Sequence, residues 1–209
     1  MNIRGQRPSA SGRPRVSSRE TLADAAAELF LEQTYAGTTM DDIARRAGVS
    51  RATLFNYVDT KSDLLWVGID DAVDTLAQIL ADVKHGTEPM QSISDALTEL
   101  ATGISPNQVP LALTQVDIMG ADAELHASAL PRFLAAVGIV SHALATRTGR
   151  SATDLLVRSA ASALVAATAS AILTWATSGV RRGELEPVVR DAISPICDGF
   201  AAVITQPVE

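Results

Sequence analysis

The sequence predicts an all-α protein in two parts, a small three-helix head and a larger helical body, about nine helices in all. Three observations carry this. Apolar residues recur at i, i+3, i+4 and i+7 in successive segments. The composition is 47 % hydrophobic but only 4 % aromatic, with abundant Ala, which suits soluble helices packed through small side chains. Residues 38–57 read as two short helices around a tight turn.

In the first of these two helices Met40, Ile43, Ala44 and Ala47 form one apolar stripe, while Asp41, Asp42, Arg45 and Arg46 point elsewhere. Thr39 is placed to cap it, accepting from the amide of Asp42, whose carboxylate suits the positive end of the helix dipole. Gly48 supplies the left-handed backbone that stops a helix in one residue. Ser50 caps the second helix, with Val49 before it and Leu54 four positions inside, the spacing of a hydrophobic staple. Once Leu54 turns inward, Arg51, Ala52, Thr53, Asn56 and Tyr57 remain outside. Short polar, small and hydrogen-bonding side chains on one helix face suit the reading of base edges and phosphates. The alternative is an ordinary helical hairpin with a solvated face.

The flanking pattern separates these. Ala25-Ala26-Ala27-Glu28-Leu29-Phe30, Gly37-Thr38-Thr39, Asp42-Ile43-Ala44, Ala47-Gly48-Val49-Ser50, Thr53-Leu54-Phe55, Tyr57, Lys61 and Leu64-Leu65 occur in order over about residues 17 to 66. This run resembles the DNA-binding domain of the TetR family of transcriptional repressors. The resemblance implies a DNA-binding head over 17–64, an effector-binding and dimerisation domain over 65–209, and a phosphate contact at Lys61. Asp59 departs from the pattern, because a carboxylate there repels phosphate.

The net charge of −7 suits such a role only when divided along the chain. Residues 1 to 61 hold nine Lys and Arg against seven Asp and Glu, whereas residues 62 to 209 hold eight against seventeen. Local charge at the contact surface governs attraction to phosphate, so the basic end faces the duplex. Residues 1–16 carry Arg4, Arg7, Arg13 and Arg15 among Pro, Gly and Ser with no acid, the composition of a disordered basic arm. Arg13 and Arg15, next to the first helix, are placed to reach phosphates or the minor groove; a solvated leader is the alternative.

The first helix is expected from Ser18 to Thr34. A fourth starts at Thr60, where Asp63 completes a Thr-x-x-Asp cap, and runs to the break at His85-Gly86. It begins in the head and ends in the body, so it is the natural lever between them. Five further helices are expected: Met90 to Thr102, Pro106 to Met119, Ala121 to Thr148, Ser151 to Val180 and Glu186 to Ile204. Pro131 should kink or split one and Pro195 bend another.

Residues 159 to 180 carry no charge, yet they are mostly Ala, Ser and Thr, which favours a packed helix over a membrane span. Leu164 and Ile172 there, with the stripe Val189, Ile193, Ile196, Phe200 and Ile204, are expected to build a two-fold four-helix bundle. The resemblance places the dimer interface on the same two helices. Two heads related by a two-fold axis enter successive major grooves about 34 to 36 Å apart, so the operator should be a near-palindrome.

His85, His126 and His142 form no histidine pair at i, i+4, so no metal site is expected. Cys197 is single and no nucleophile motif or phosphate loop is present, so neither enzyme nor cofactor is expected. The lone Cys and the polar N-terminus fit a reducing cytoplasm. An effector pocket is implied by the resemblance, between the middle helices of the body, with Leu100, Ile104, Leu111, Leu113, Met119, Phe133 and Trp175 as candidate lining. The alternative is that these are plain core residues.

The expected function is a homodimeric, ligand-responsive repressor of double-stranded DNA, released by a small apolar effector. Arg51, Ala52, Thr53, Asn56 and Tyr57 would contact DNA from the recognition helix, with Thr39, Arg45, Arg46, Ser50 and Lys61 along the backbone. An activator or ligand-blind regulator would show the same head, and a ligand-sequestering protein would keep a head that no longer binds. The stretch Leu64-Leu65-Trp66-Val67-Gly68-Ile69-Asp70 is similar to an actinobacterial branch near the mycofactocin regulators, which implies acyl thioester ligands.

Overall fold

The computed structural model describes residues 18–82, 88–105, 109–179 and 181–206. Among them are ten α-helices, one 3-10 turn and no strand. Arg13 and Arg15, with the rest of the basic arm, lie outside the described residues.

Helix α1 (Arg19–Gly37) is capped by Ser18, whose Oγ accepts from the Thr21 amide at 3.1 Å. Its regular part ends near the expected Thr34, which adopts φ 68, ψ 161. That region is essentially glycine's, and a β-branched residue in it stores strain. Two bonds hold the kink: the Thr38 hydroxyl donates to the Thr34 carbonyl at 2.8 Å, and the Gly37 amide donates to Thr34 Oγ1 at 3.4 Å. The turn lays Tyr35 against Phe30, ring centroids 5.0 Å apart. Replacing Thr34 by Gly relieves strain of order 1–3 kcal/mol and gives back part of it as unfolded-chain entropy. A net gain of about 1 kcal/mol is expected, visible as a rise of about 2–4 °C in melting temperature.

Helices α2 (Met40–Ala47) and α3 (Arg51–Phe55) pack on α1 through Ile43, Ala44 and Leu54, against Leu22, Ala26, Leu29 and Phe30. Leu22, Phe30, Ile43 and Leu54 are at most 1 % exposed, and each such side chain contributes about 1.5–3 kcal/mol. The head's core also takes in Ala112, Met119 and Ala121 from the body.

The lever does not start as an α-helix at Thr60. The expected cap is there: the Thr60 amide donates to Asp63 Oδ2 at 2.8 Å and the Asp63 amide to Thr60 Oγ1 at 3.3 Å. It closes a 3-10 turn over Ser62–Leu65, and Trp66 (φ −112, ψ −1) separates that turn from α4 (Val67–Asp82). The body continues with α5 (Pro89–Thr102), α6 (Leu111–Thr114), α7 (Val116–Met119), α8 (Asp122–Thr148), α9 (Leu155–Thr177) and α10 (Leu185–Ile204). The single helix expected from Pro106 to Met119 is two short ones, because Gln115 (φ −130, ψ 16) breaks the turn between them. Helices α8 and α10 continue through Pro131 and Pro195 without splitting. Both prolines are exposed, so the carbonyl each deprives of a donor is free to meet water.

Helix α9 lies between α8 and α10, and α10 packs on α5 as well. Met90, Ile93, Leu97, Val140, Leu144, Val157, Leu164 and Trp175 meet there with Leu185, Val189, Ile193 and Ile204. Residues of the expected dimer stripe take part in this core. Leu164, Val189, Ile193 and Ile204 are completely buried inside their own protomer, and Ile172, Ile196 and Phe200 pack against the same core. Helical periodicity found the face that is covered within the chain. Helices α8 and α9 are long and apolar enough to cross a membrane, yet both supply this core.

Candidate nucleic-acid interface and its joint to the body

The turn between α2 and α3 is built by local bonds the sequence anticipates. Thr39 Oγ1 accepts from the Asp42 amide at 3.2 Å while the Thr39 amide donates to Asp42 Oδ2 at 3.0 Å, a reciprocal capping box. Gly48 takes φ 72 with nothing within 4 Å of the position a Cβ would occupy, so the glycine answers backbone conformation and not crowding. The Val49 amide returns to the Ala44 carbonyl at 2.9 Å. Ser50 Oγ accepts from the Thr53 amide at 3.0 Å, and Val49 packs on the core that buries Leu54. Ser50→Ala should cost about 1 kcal/mol by losing that cap, readable in chemical denaturation of the whole chain.

With these caps set, Arg51, Ala52, Asn56 and Tyr57 are exposed on or just after α3, and Thr53 is half-buried. Phe55 is also exposed, at 39 %, with the Arg51 guanidinium 5.4 Å from its ring centroid. The sequence reading passed over Phe55, although its place one residue after the inward Leu54 turns it outward on a helix. Arg51 Nη1 also reaches both Asp41 oxygens at 3.1 Å, an exposed pair that phosphate can outcompete. Arg45 pairs with Asp42 at its own helix and leaves three-quarters of its side chain in solvent.

Two expected phosphate contacts are occupied internally. Arg46 donates to Glu28 at 3.1 Å and Glu32 at 3.0 Å, bracing α2 on α1. Lys61 Nζ donates to the carbonyls of Tyr35 at 2.6 Å and Thr38 at 2.9 Å and sits 4.0 Å from the Tyr35 ring centroid. The ammonium joins the Thr38 amide, which donates to the same Tyr35 carbonyl at 3.2 Å, in closing the end of α1. Burial holds the Lys61 ammonium below its ordinary pKa, and burial pushes the Tyr35 hydroxyl up to about 12.

Arg132 of α8 is the joint between body and head, and sequence reasoning missed it. Its Nε donates to Asp70 Oδ1 at 2.8 Å and its Nη2 to Asp70 Oδ2 at 3.1 Å and Asp63 Oδ1 at 2.9 Å. The guanidinium lies 5.1 Å from the Trp66 ring centroid, and Trp66 Nε1 donates to Ser128 Oγ at 2.8 Å. On the other side Arg19 of α1 reaches Asp71 at 3.0 Å and Asp70 at 3.7 Å. One planar fork thus holds the 3-10 turn of the head and the first turn of α4 to α8. Burial raises the Asp63 carboxyl, but hydrogen bonds from Arg132 and Thr60 outweigh it and hold the group below its ordinary 3.8. The stability this supplies is therefore full above the unfolded value and lost as pH falls through the folded one. Below about pH 4 the wild type should lose melting temperature more steeply than Asp63→Asn. Parallel acid curves would remove Asp63 from that role.

The expected effector-pocket residues are spread over both cores and the surface. Leu100, Ile104, Leu113 and Phe133 pack on the body core, and Trp175 is buried there with its Nε1 donating to the Gly183 carbonyl at 2.7 Å. Met119 belongs to the head's core, and Leu111 is 42 % exposed. A cavity of about 620 Å³ opens elsewhere, between α4 and α8, and none of the seven lines it. Its walls include Ala77 and Ala81 of α4 and Ala135, Gly138, Ile139 and His142 of α8.

Residues 22–65 match the family described as bacterial regulatory proteins, tetR family, and residues 87–201 match the MftR C-terminal domain. The chain is 24 % identical over 145 residues, 69 % of its length and 73 % of the other's, to the Mycobacterium tuberculosis protein assigned as the mycofactocin biosynthesis regulator MftR. It is 34 % identical over 80 residues, 38 % of its length and 35 % of the other's, to the transcriptional regulator HbdR of Aromatoleum. FadR of Thermus thermophilus, a repressor solved with lauroyl-CoA, superposes with TM-score 0.53 at 22 % identity over 92 % of this chain and 96 % of that one. NalD of Pseudomonas aeruginosa, a repressor of a multidrug efflux pump, gives 0.56 at 20 % identity over 87 % and 95 %. At those identities the likeness is one of fold. A head and a body that each match in sequence, in the right order and on the right fold, leave one conclusion: the chain belongs to the TetR family of bacterial regulatory proteins, with a C-terminal domain of the MftR type.

Proposed function

We propose that this protein is a cytoplasmic, homodimeric transcription regulator that represses from a near-palindromic operator and is released by a small apolar effector. The observation that carries the reading is the outward face of α3 and the turn after it, where Arg51, Ala52, Asn56 and Tyr57 stand exposed, the helix being fixed by the Ser50 cap and the Gly48 turn. Arg51, Asn56 and Thr53 supply donors and acceptors for base edges, Ala52 leaves room for a thymine methyl, and Arg45 and Tyr57 reach phosphates. The Thr39 and Ser50 caps orient the two helices, and Arg46 and Lys61 brace them.

The second copy belongs on the outer faces of α9 and α10. Ala166, Ser170, Leu173 and Thr177 on one, and Pro195, Gly199, Ala202 and Val203 on the other, are exposed in the protomer. Small side chains allow close approach of two helix pairs about a two-fold axis. The effector reading is supported by the lauroyl-CoA held in a protein of the same fold. It requires a coupling of roughly 1–3 kcal/mol, or about 5- to 150-fold in operator affinity.

Sequencing genomic fragments retained by the purified protein tests the reading. The expected result is enrichment of one inverted repeat. Recovery no different from random duplex contradicts it.

A further inference from the structure

Five cations stand among the described residues of the head, and the structure holds them differently. Arg19 pairs with Asp71 and Asp70, Arg46 is taken up by Glu28 and Glu32, and Lys61 by two backbone carbonyls. Arg45 pairs with Asp42 of its own helix and keeps three-quarters of its side chain in solvent. Among the five only Arg51 combines high exposure, 63 %, with a tie that crosses from one helix of the turn to the other.

That tie uses one nitrogen. Nη1 donates to both Asp41 oxygens at 3.1 Å, and neither Nε nor Nη2 has a hydrogen bond among the described residues. Asp41 stands in the first turn of α2 and Arg51 in the first turn of α3. Phe55, four residues along α3 and so on the same face, lies with its ring centroid 5.4 Å from the same guanidinium. A carboxylate and an aromatic ring thus restrict a side chain that would otherwise lose much rotamer freedom on binding. An arginine reads guanine with two N–H groups, on O6 and N7, and that contact needs a fixed plane, whereas a phosphate accepts a mobile cation. Nε and Nη2 lie along one edge of the guanidinium and supply two such donors.

We propose that Asp41 and Phe55 are positioning residues that set the sequence preference of α3: they hold Arg51 as a fork whose free edge takes O6 and N7 of one guanine in each half-site. This rests on the reading of the head as a sequence-specific DNA-binding unit. On a duplex that lacks this guanine, phosphate displaces the carboxylate and Arg51 acts as a general cation. On the matching sequence the base edge is met with the tie intact. Removing the Asp41 charge therefore strengthens general binding and weakens discrimination.

Selection from a pool of random duplexes by the full-length protein, followed by exchange of single G·C pairs of the selected duplex for A·T, tests this. The quantity read is the ratio of the two affinities at fixed salt, because the general phosphate contribution cancels in it. The wild type should show a ratio of about 5- to 150-fold at one guanine per half-site, and Arg51→Gln should bring that ratio close to one. Asp41→Asn and Phe55→Leu should each lower it by about two- to fivefold. Asp41→Asn should at the same time raise affinity for random duplex, and Asp41→Glu should restore most of the ratio. Asp41 and Phe55 are exposed, so a nearly unchanged melting temperature identifies the folded variants. An unchanged ratio in Asp41→Asn or in Phe55→Leu removes that residue from the role. Unchanged ratios in both, or no guanine preference that Arg51→Gln abolishes, overturn the inference and leave the regulator reading standing. Selection of no sequence by the wild type overturns that reading and the inference with it.

Discussion

Gly199→Glu should leave the protomer folded and lower operator affinity by about 100- to 10,000-fold, the factor that linking two heads supplies. Gly199 is exposed on α10 with open space around its Cβ, and Glu suits a helix interior better than Gly. Within one protomer the change therefore costs nothing. In the proposed two-fold dimer it enters twice and brings two more carboxylates to an interface that already carries Asp198 from each copy. Sedimentation should show a monomer, melting should be nearly unchanged, and a gel shift at fixed salt should show only weak, half-site binding. A dimer of undiminished stability would place the interface on another face.

Arg132→Ala should be the most damaging single change away from the DNA face. It leaves Asp63 and Asp70 together without their shared cation and uncovers Trp66. Removing one partner of a fully buried pair costs about 3–5 kcal/mol. Because the side chains here keep 18 to 25 % of their surface in water, about 2–3 kcal/mol is the discounted expectation. That is a fall of roughly 5–10 °C in melting temperature for a chain of this size. Arg132→Lys keeps the charge but not the fork, so it should recover only part of the loss. Hydrogen exchange should show the 3-10 turn and the start of α4 opening first, while the α5, α9 and α10 core stays protected. Uniform loss of protection would mean that Arg132 serves general stability and not the joint.

Local rules made the head legible. Thr39, Gly48, Ser50 and Thr60 act on partners three or four residues away, and the structure forms each of those caps. The 3-10 geometry after Thr60 was not legible, because the cap is the same for both helix types and the break at Trp66 comes from its tertiary partners. Arg132 was hidden for a related reason: Asp70 and Asp63 lie 62 and 69 residues away, beyond any periodicity. Thr34 gave no warning either, since its strain appears only as a backbone angle.

In the body the apolar pattern marked what is buried without marking what covers it. Val189 and Ile193 are as periodic as interface residues and are core. The faces proposed for a second copy are mostly Ala, Ser, Gly and Thr with only Leu173 and Val203 as large apolar residues, too few for a hydrophobic period to distinguish them from solvated surface. The cavity between α4 and α8 was invisible on similar grounds: half of its wall is alanine and glycine, which no apolar period marks, whereas six of the seven large side chains expected to line a pocket pack on the two cores and Leu111 is exposed.

Footprinting of the purified protein on the DNA flanking its own gene tests the central claim most directly. Two protected half-sites of inverted sequence, centred about 34–36 Å apart along one face of the duplex, with protection lost in Asn56→Ala, are the predicted result. Uniform protection of any duplex, or a single half-site bound with full affinity, would contradict it.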